Sequence, residues 1–382
     1  MGEGVSSLDS TLAASAGDEL AGDRCTPIAG ETHRTRSAHA PLHIIKCYDG
    51  GAEEDEWNRF LLEPLGIVEH VSPDFSIVED RALYFVNGTR GLAHMPASFL
   101  ARVQKLNCKG LYHLGDEFLA GGYDIYRHFD FVVRNHYAGA LDHAGIRTIA
   151  LGYPCGMAGG EGEMKASARP LVWSFLGNLM ASRAQMIEEF RGLAPHHLHV
   201  YQMRREGNPK VSREEYKKVL RASTFVPCPM GNVMLETFRV YEALEAGAIP
   251  LLSRRARMPY HDLVMPGHPL PAFADWSSAR DFAARLLAEP AELDAVQRRI
   301  AAWWSAYKAN LRATLCDFVE RGFRGEFRAE LRERWRPPAG IAWQAWRAAE
   351  LLRHHDAVAI KGRAEIMLGR LARRAGLLRA RA

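Results

Sequence analysis

Apolar positions along this chain gather in short runs separated by longer mixed segments. The runs at 42–48 (LHIIKCY), 83–88 (LYFVNG), 110–114 (GLYHL), 129–135 (FDFVVRN) and 147–153 (RTIALGY) are rich in β-branched and aromatic residues. Several end in Gly, Asp or Asn, so each predicts a strand. Between the first two, Trp57, Phe60, Leu61 and Leu65 recur at helical spacing, which predicts a helix over 53–69 despite Pro64. A second helix closes over 99–106. Apolar strands separated by helices predict a parallel sheet covered on both faces, the doubly wound α/β class.

The same alternation restarts near 171. VWSFLGN predicts a strand, 182–192 a helix and LHVY another strand, and Ser212 with Glu215 forms a capping box for a helix over 212–221. Residues 224–252, TFVPCPMGNVMLETFRVYEALEAGAIPLL, read as strand, Pro/Gly/Asn turn, helix ending at Gly247, and strand. LPAF with Asp275-Trp276 predicts a late strand and turn, and 277–382 is almost wholly helical in pattern. The intervening 156–170, GMAGGEGEMKASARP, is glycine-rich and predicts a linker. The expected organisation is a disordered segment over 1–40, α/β domains over 41–155 and 171–330 around the linker, and a helical, basic extension over 331–382.

Composition narrows the partners. With 47% hydrophobic and 25% charged residues the chain fits a soluble protein with a substantial core. A formal net charge of +4 does not call for nucleic acid. No run reaches the ~18 apolar residues of a membrane span, and 1–40 has no apolar core of a signal peptide. Six cysteines without a C-x-x-C pair suit a reducing compartment, so a cytoplasmic location is expected. The basic segment from Lys361 onward, with its leucines, offers a peripheral membrane contact; a helix packing across a domain is the plainer reading.

The stretch 224–252 carries the chemistry. Its loop sits where a parallel strand ends and a helix begins, and such loops attract phosphate. Glu236, Arg239 and Glu242, three apart, share one helix face; by itself that pattern is an ordinary solvated face. The string FVPCPMGN, followed by LETFRVYEALEAGAIPLL, resembles the signature of the exostosin-type glycosyltransferases, with Glu236 where the family commonly has Asp and Met230 where it commonly has Arg. The nearest flavour is the branch that adds xylose to ribitol phosphate. The resemblance implies a GT-B architecture, two Rossmann-like domains facing across a cleft, and sugar transfer with inversion from a nucleotide donor, a UDP-sugar, to a hydroxyl of a glycan, lipid-linked or polyol-phosphate acceptor.

On that resemblance the donor is held by two loops. In the first, Gly177 admits close backbone approach and Ser182-Arg183 open a helix, with Arg183 on the diphosphate. The second brings Gly231, Asn232, Glu236, Thr237 and Arg239, with Arg239 at the leaving diphosphate, Glu236 toward the donor sugar and Glu242 toward the ribose. Arginine suits phosphate through its planar fork. HLGDEF, residues 113–118, is similar to the family's His-Leu-Ser-Asp-Glu string; Asp116 and Glu117 are the two candidates for the general base, and His113 is either part of the site or a satisfied core histidine. Arg134, Asn135 and Tyr153, also after strands, are expected on the acceptor side. No Asp-x-Asp occurs in the chain, which predicts transfer without an obligatory metal or other cofactor. The alternatives are a catalytically silent nucleotide-sugar-binding or partner subunit, and another two-domain α/β enzyme such as a sugar-nucleotide epimerase.

Overall fold

The computed structural model describes residues 41–355 apart from 120, 160–163, 181, 202–210, 257 and 338. The expected disordered segment over 1–40 and the basic stretch beyond 355 lie outside the described residues. The chain divides into two compact units, Met1–Gly156 with Lys308–Trp343, and Met157–Tyr307 with Gln344–Ala382.

In the first unit a six-stranded parallel sheet runs in the order β2-β1-β3-β4-β5-β6. Its strands are β1 (Leu42–Lys46), β2 (Ile67–Val71), β3 (Ala82–Asn87), β4 (Lys109–Leu114), β5 (Phe131–Arg134) and β6 (Ile146–Thr148). Helices α1 (Asp55–Leu62), α2 (Gly88–Ala93) and α3 (Ala97–Val103) fall between them. All residues of β4 and β5 are buried, as strands covered on both faces require. The helix expected over 53–69 stops early. Pro64 enters a short 3-10 turn, Glu63–Leu65, and Gly66 takes the left-handed conformation at φ 65°. That ending frees Ile67–Val71 to pair along β1 as edge strand β2.

The second unit holds a five-stranded sheet ordered β11-β10-β9-β7-β8. Its strands are β7 (Leu171–Asn178), β8 (His196–Tyr201), β9 (Ser223–Cys228), β10 (Ile249–Ser253) and β11 (Ala272–Phe273), all paired in parallel. Its helices are α4 (Arg183–Phe190), α5 (Arg213–Ala222), α6 (Phe238–Glu245), α7 (Tyr260–Val264) and α8 (Trp276–Leu287). The Ser212 hydroxyl caps α5 by accepting from the Glu215 N–H. Helices α9 (Pro290–Phe323) and α10 (Gly340–His354) follow.

Two departures concern the borders. The stretch 308–330, read from the sequence as part of the second domain, packs with the first unit. Phe318 and Phe323 stand edge-on to Phe131 of β5 at 5.8 and 5.0 Å, and Glu320 pairs with Arg81 at 2.6 Å. Fully buried Asp130, just before β5, binds Arg328 at 2.8 Å and Arg332 at 3.3 Å, with Lys109 at 3.7 Å. A buried carboxylate needs such company. Two described residues of the predicted linker, Ala166 and Arg169, are firmly anchored in the second unit. Ala166 donates from its N–H to Gln297 Oε1 at 2.7 Å. Arg169, 7% exposed, donates to the carbonyls of Leu220 in the last turn of α5 and Ser223 just after it, and of Ala246 and Gly247 after α6, at 2.9–3.4 Å. One guanidinium thus satisfies the orphan carbonyls of two helix ends, where a positive charge is favoured.

Candidate active site

At the carboxyl edge of the first sheet, register places His113 of β4 beside Arg134 of β5, and both are fully buried. Gly115 follows at φ 67°, where a Cβ would lie 2.6 Å from Asn87 Oδ1; only glycine allows this turn. It turns Asp116 inward to 1% exposure. Arg134 donates to Asp116 Oδ2 at 3.1 Å and to Tyr126 Oη at 3.3 Å, its guanidinium 5.4 Å over the Tyr123 ring. The Tyr123 hydroxyl also donates to Asp116. Tyr126 Oη, accepting from Arg134, has its own proton to give to His113 Nδ1 at 2.7 Å. That leaves the ring proton on Nε2, toward the Gly88 carbonyl at 3.4 Å. Burial pushes His113 down to about 4, with Asp116 opposing and Arg134 assisting, so the ring is neutral. His113 is therefore tied into the core, and Asp116 is an ion-pair partner.

Asn135, 2% exposed, links this edge to β1. Its Oδ1 accepts from the Gly115 N–H at 2.9 Å and its Nδ2 donates to Glu54 Oε1 at 3.4 Å. Glu54, at the start of α1, is 6% exposed and carries no ion pair among the described residues. Burial pushes its carboxyl up to about 7. In the sequence it is one of four consecutive acidic residues, 53–56, at the start of the helix predicted over 53–69, an ordinary helix opening. The signal was its place just after a glycine turn at a strand's carboxyl end. Glu117 is half-buried, and Tyr153 is 3% exposed with its ring edge-on to Trp57 at 5.2 Å.

In the second unit Arg183 and Arg239 organise the two strand-to-helix loops. Arg183, 7% exposed, donates to the Asn178 carbonyl at 3.2 Å, to the Asn178 side chain, and to the Met230 carbonyl at 3.0 Å, so it ties both loops together. Arg239 donates to the Leu176 carbonyl at 2.6 Å and lies 4.5 Å over the Phe175 ring. A Cβ on Gly177 would sit 2.9 Å from Arg239 Nη2; the close approach that this glycine admits is that of Arg239. Burial works against the charge on Arg239, and Tyr216 and Glu242 outweigh it and hold the guanidinium above its ordinary value.

Glu242 is half-buried and accepts from the Tyr216 hydroxyl across α5 and α6. Glu236, 2% exposed, accepts from the hydroxyls of Tyr241 and of Tyr260, the latter at 2.7 Å; both its oxygens are engaged inside the unit. Thr237 caps α6 by accepting from the Arg239 N–H at 3.3 Å. Ser182 makes no side-chain cap and accepts from Trp276 Nε1 at 3.3 Å. The Gly231 N–H donates to the Met234 carbonyl at 2.7 Å, and Asn232 is exposed. Met230 is fully buried, so an apolar contact stands where the resembled family commonly has arginine.

Among the described residues no group of three or more His, Cys, Asp or Glu side chains is placed to hold a metal ion, and no described helix is long and apolar enough to cross a membrane.

Comparison with known families adds an independent finding. Residues 157–324 match the family model described as the RXYLT1 C-terminal domain, that of a ribitol xylosyltransferase family. This stretch contains both loops tied by Arg183. No curated relative matches. Similar solved structures include an alpha1,3-fucosyltransferase, 11% identical with a TM-score of 0.43, covering 86% of this chain and 95% of that one. Anabaena Alr3699/HepE in complex with UDP and glucose is 11% identical with a TM-score of 0.47, covering 74% of this chain and 100% of that one. The alpha-glucosyltransferase AGT in complex with UDP is 9% identical with a TM-score of 0.48, covering 73% and 99%.

Proposed function

We propose that this protein is a glycosyltransferase that moves a sugar from a nucleotide donor, a UDP-sugar, to a hydroxyl of a glycan or polyol-phosphate acceptor, with inversion by a single displacement. The observation that carries this reading is the family match over 157–324, which spans the two loops at the carboxyl ends of β7 and β9. The donor diphosphate lies against those loops, with the positive charge of Arg183 and Arg239 behind them. Glu242, less buried than Arg239 on the same helix, hydrogen-bonds the ribose; Glu236, expected on that helix face, lies before the Thr237 cap and off α6. The acceptor lies on the first unit, where a carboxylate at the carboxyl edge of the sheet removes its proton. Buried guanidinium groups and helix N-termini stabilise the departing diphosphate.

A thermal-shift panel of nucleotide sugars tests the donor assignment, since a ligand at about 100 times its Kd stabilises by ~2.7 kcal/mol. Transfer is then read as nucleoside diphosphate released with an acceptor panel. An epimerised nucleotide sugar without that release overturns the reading. Binding that never turns over, across every acceptor, points instead to a nucleotide-sugar-binding partner subunit.

A further inference from the structure

We propose that Glu54 is the group that takes the acceptor proton, and that Asn135 positions it. The inference rests on the transferase reading and names the catalytic carboxylate of that same site. Displacement at the anomeric carbon forms one C–O bond to the acceptor oxygen and breaks the bond to the diphosphate oxygen. The electron pair leaves with the nucleoside diphosphate, and the acceptor hydroxyl proton needs a base. A carboxylate serves when it is ionised, unpaired and held in low dielectric, where its proton affinity is high.

Asp116 does not meet those terms, because Arg134 and Tyr123 already occupy its carboxylate. Glu54 meets them. The backbone places it at the start of α1, just beyond Ala52 and Glu53, which follow the exposed Asp49-Gly50-Gly51 turn after β1. Gly50 there stands at φ 75° with nothing within 4 Å of where its Cβ would be, which leaves room for an acceptor to come over the turn. Asn135 donates to Glu54 from beyond β5 and accepts from Gly115 beyond β4; one amide therefore sets the carboxylate against the ends of three strands. The charged and titratable groups that couple to Glu54 include Glu53 and Asp55 on its own segment, Tyr48 before the turn and Tyr112 on β4, all acidic or phenolic. Lys46, the nearby cation, is bound by Asp55 and Glu69 at 2.9 Å each. The carboxyl consequently keeps its proton to about pH 7, suited to accepting one at neutral pH.

The test begins with the full wild-type chain and the nucleotide sugar and acceptor it turns over. Its kcat/KM rises with pH through about 7. Glu54→Gln lowers kcat by ~10²-fold or more, leaves donor Kd unchanged and removes the rising limb. Glu54→Asp keeps part of the rate with the limb moved toward acid. Asn135→Ala lowers kcat and shifts the limb without abolishing it, an outcome that a merely structural role would not give. By contrast, Asp116→Asn retains the rising limb. Full rate in Glu54→Gln, or a limb that is unmoved in Glu54→Asp and lost in Asp116→Asn, overturns the assignment while leaving the transferase reading intact. Should Glu54→Gln fail to melt cooperatively, the limb of Glu54→Asp decides. A wild-type chain that binds no nucleotide sugar overturns both, and does so before any variant is made.

Discussion

Arg134 donates to the Asp116 carboxylate at 3.1 Å with the two side chains only 0% and 1% exposed. Such a pair sits in low dielectric, where desolvation offsets much of the attraction, yet removing one partner strands the other's charge. Arg134→Ala and Asp116→Ala should each destabilise by ~3–5 kcal/mol, and Asp116→Asn, which keeps the shape and can still accept from Tyr123, by less. Denaturant midpoints measure this; a change below ~1 kcal/mol for Asp116→Ala would mean that the pair is not held as described.

Gly177 and Arg239 provide a second test. An alanine Cβ would meet Arg239 Nη2 at 2.9 Å, and the guanidinium tip is the part that can yield. Gly177→Ala should therefore cost only about 1 kcal/mol of stability, within the common range for single substitutions. Nucleotide-sugar affinity should fall by ~10-fold, about 1.4 kcal/mol, as Arg239 leaves the Leu176 carbonyl. Calorimetric titration of the variant checks this, and an unchanged Kd would remove Arg239 from the donor site.

Arg169 closes the ends of α5 and α6 with one guanidinium. Burial pushes it down to about 10, so it stays charged at neutral pH. Arg169→Met keeps much of the packing volume and loses four donations to carbonyls; hydrogen bonds to charged groups are worth ~1.5–3 kcal/mol each and do not add fully. A loss of ~2–4 kcal/mol is expected. Hydrogen exchange should show the last turns of α5 and α6 losing protection first. Uniform loss across the second unit would argue against so local a role.

Much of this architecture was legible because parallel strands buried on both faces are continuous apolar runs, as in LYFVN and GLYHL. Strand β2 was hidden: IVEHV is an edge strand with mixed exposure, and a helical stripe ran into it through Pro64. The return of 308–343 to the first unit leaves no periodic trace, because a helix stripe does not say which sheet it covers. Motif and spacing put Arg183 and Arg239 at the starts of the helices after β7 and β9, with Glu242 further along α6. Whether a side chain faces a ligand or a neighbour depends on contacts distant in sequence. Tyr260 beside Glu236 and Tyr123 beside Asp116 turned expected ligand groups into internal partners, and Asn135 brought Glu54 to an edge that no local pattern connects with it.

Acid stability should report Glu54 directly, because its shift runs opposite to that of the buried histidines. Burial pushes His113 down to about 4 and His136 and His261 down to about 3. Their stability contribution is fully present above the ordinary value near 6.5 and is lost as pH falls, since the unfolded chain takes up protons that the native rings refuse. Each should steepen acid unfolding by ~1.4 kcal/mol per pH unit below ~6.5. The Glu54 carboxyl is raised from 4.5 to about 7. Its protonated form favours the native state, so that contribution is complete below about 4.5 and lost as pH rises through about 7. Glu54→Gln replaces it with a group that does not titrate. The stability of the variant relative to wild type should therefore climb between pH 4.5 and 7 and level off above, measured as the difference in denaturant midpoints across a pH series. A flat difference would mean that the Glu54 carboxyl titrates as an ordinary exposed one, and a falling difference that a cation holds it ionised in the native state.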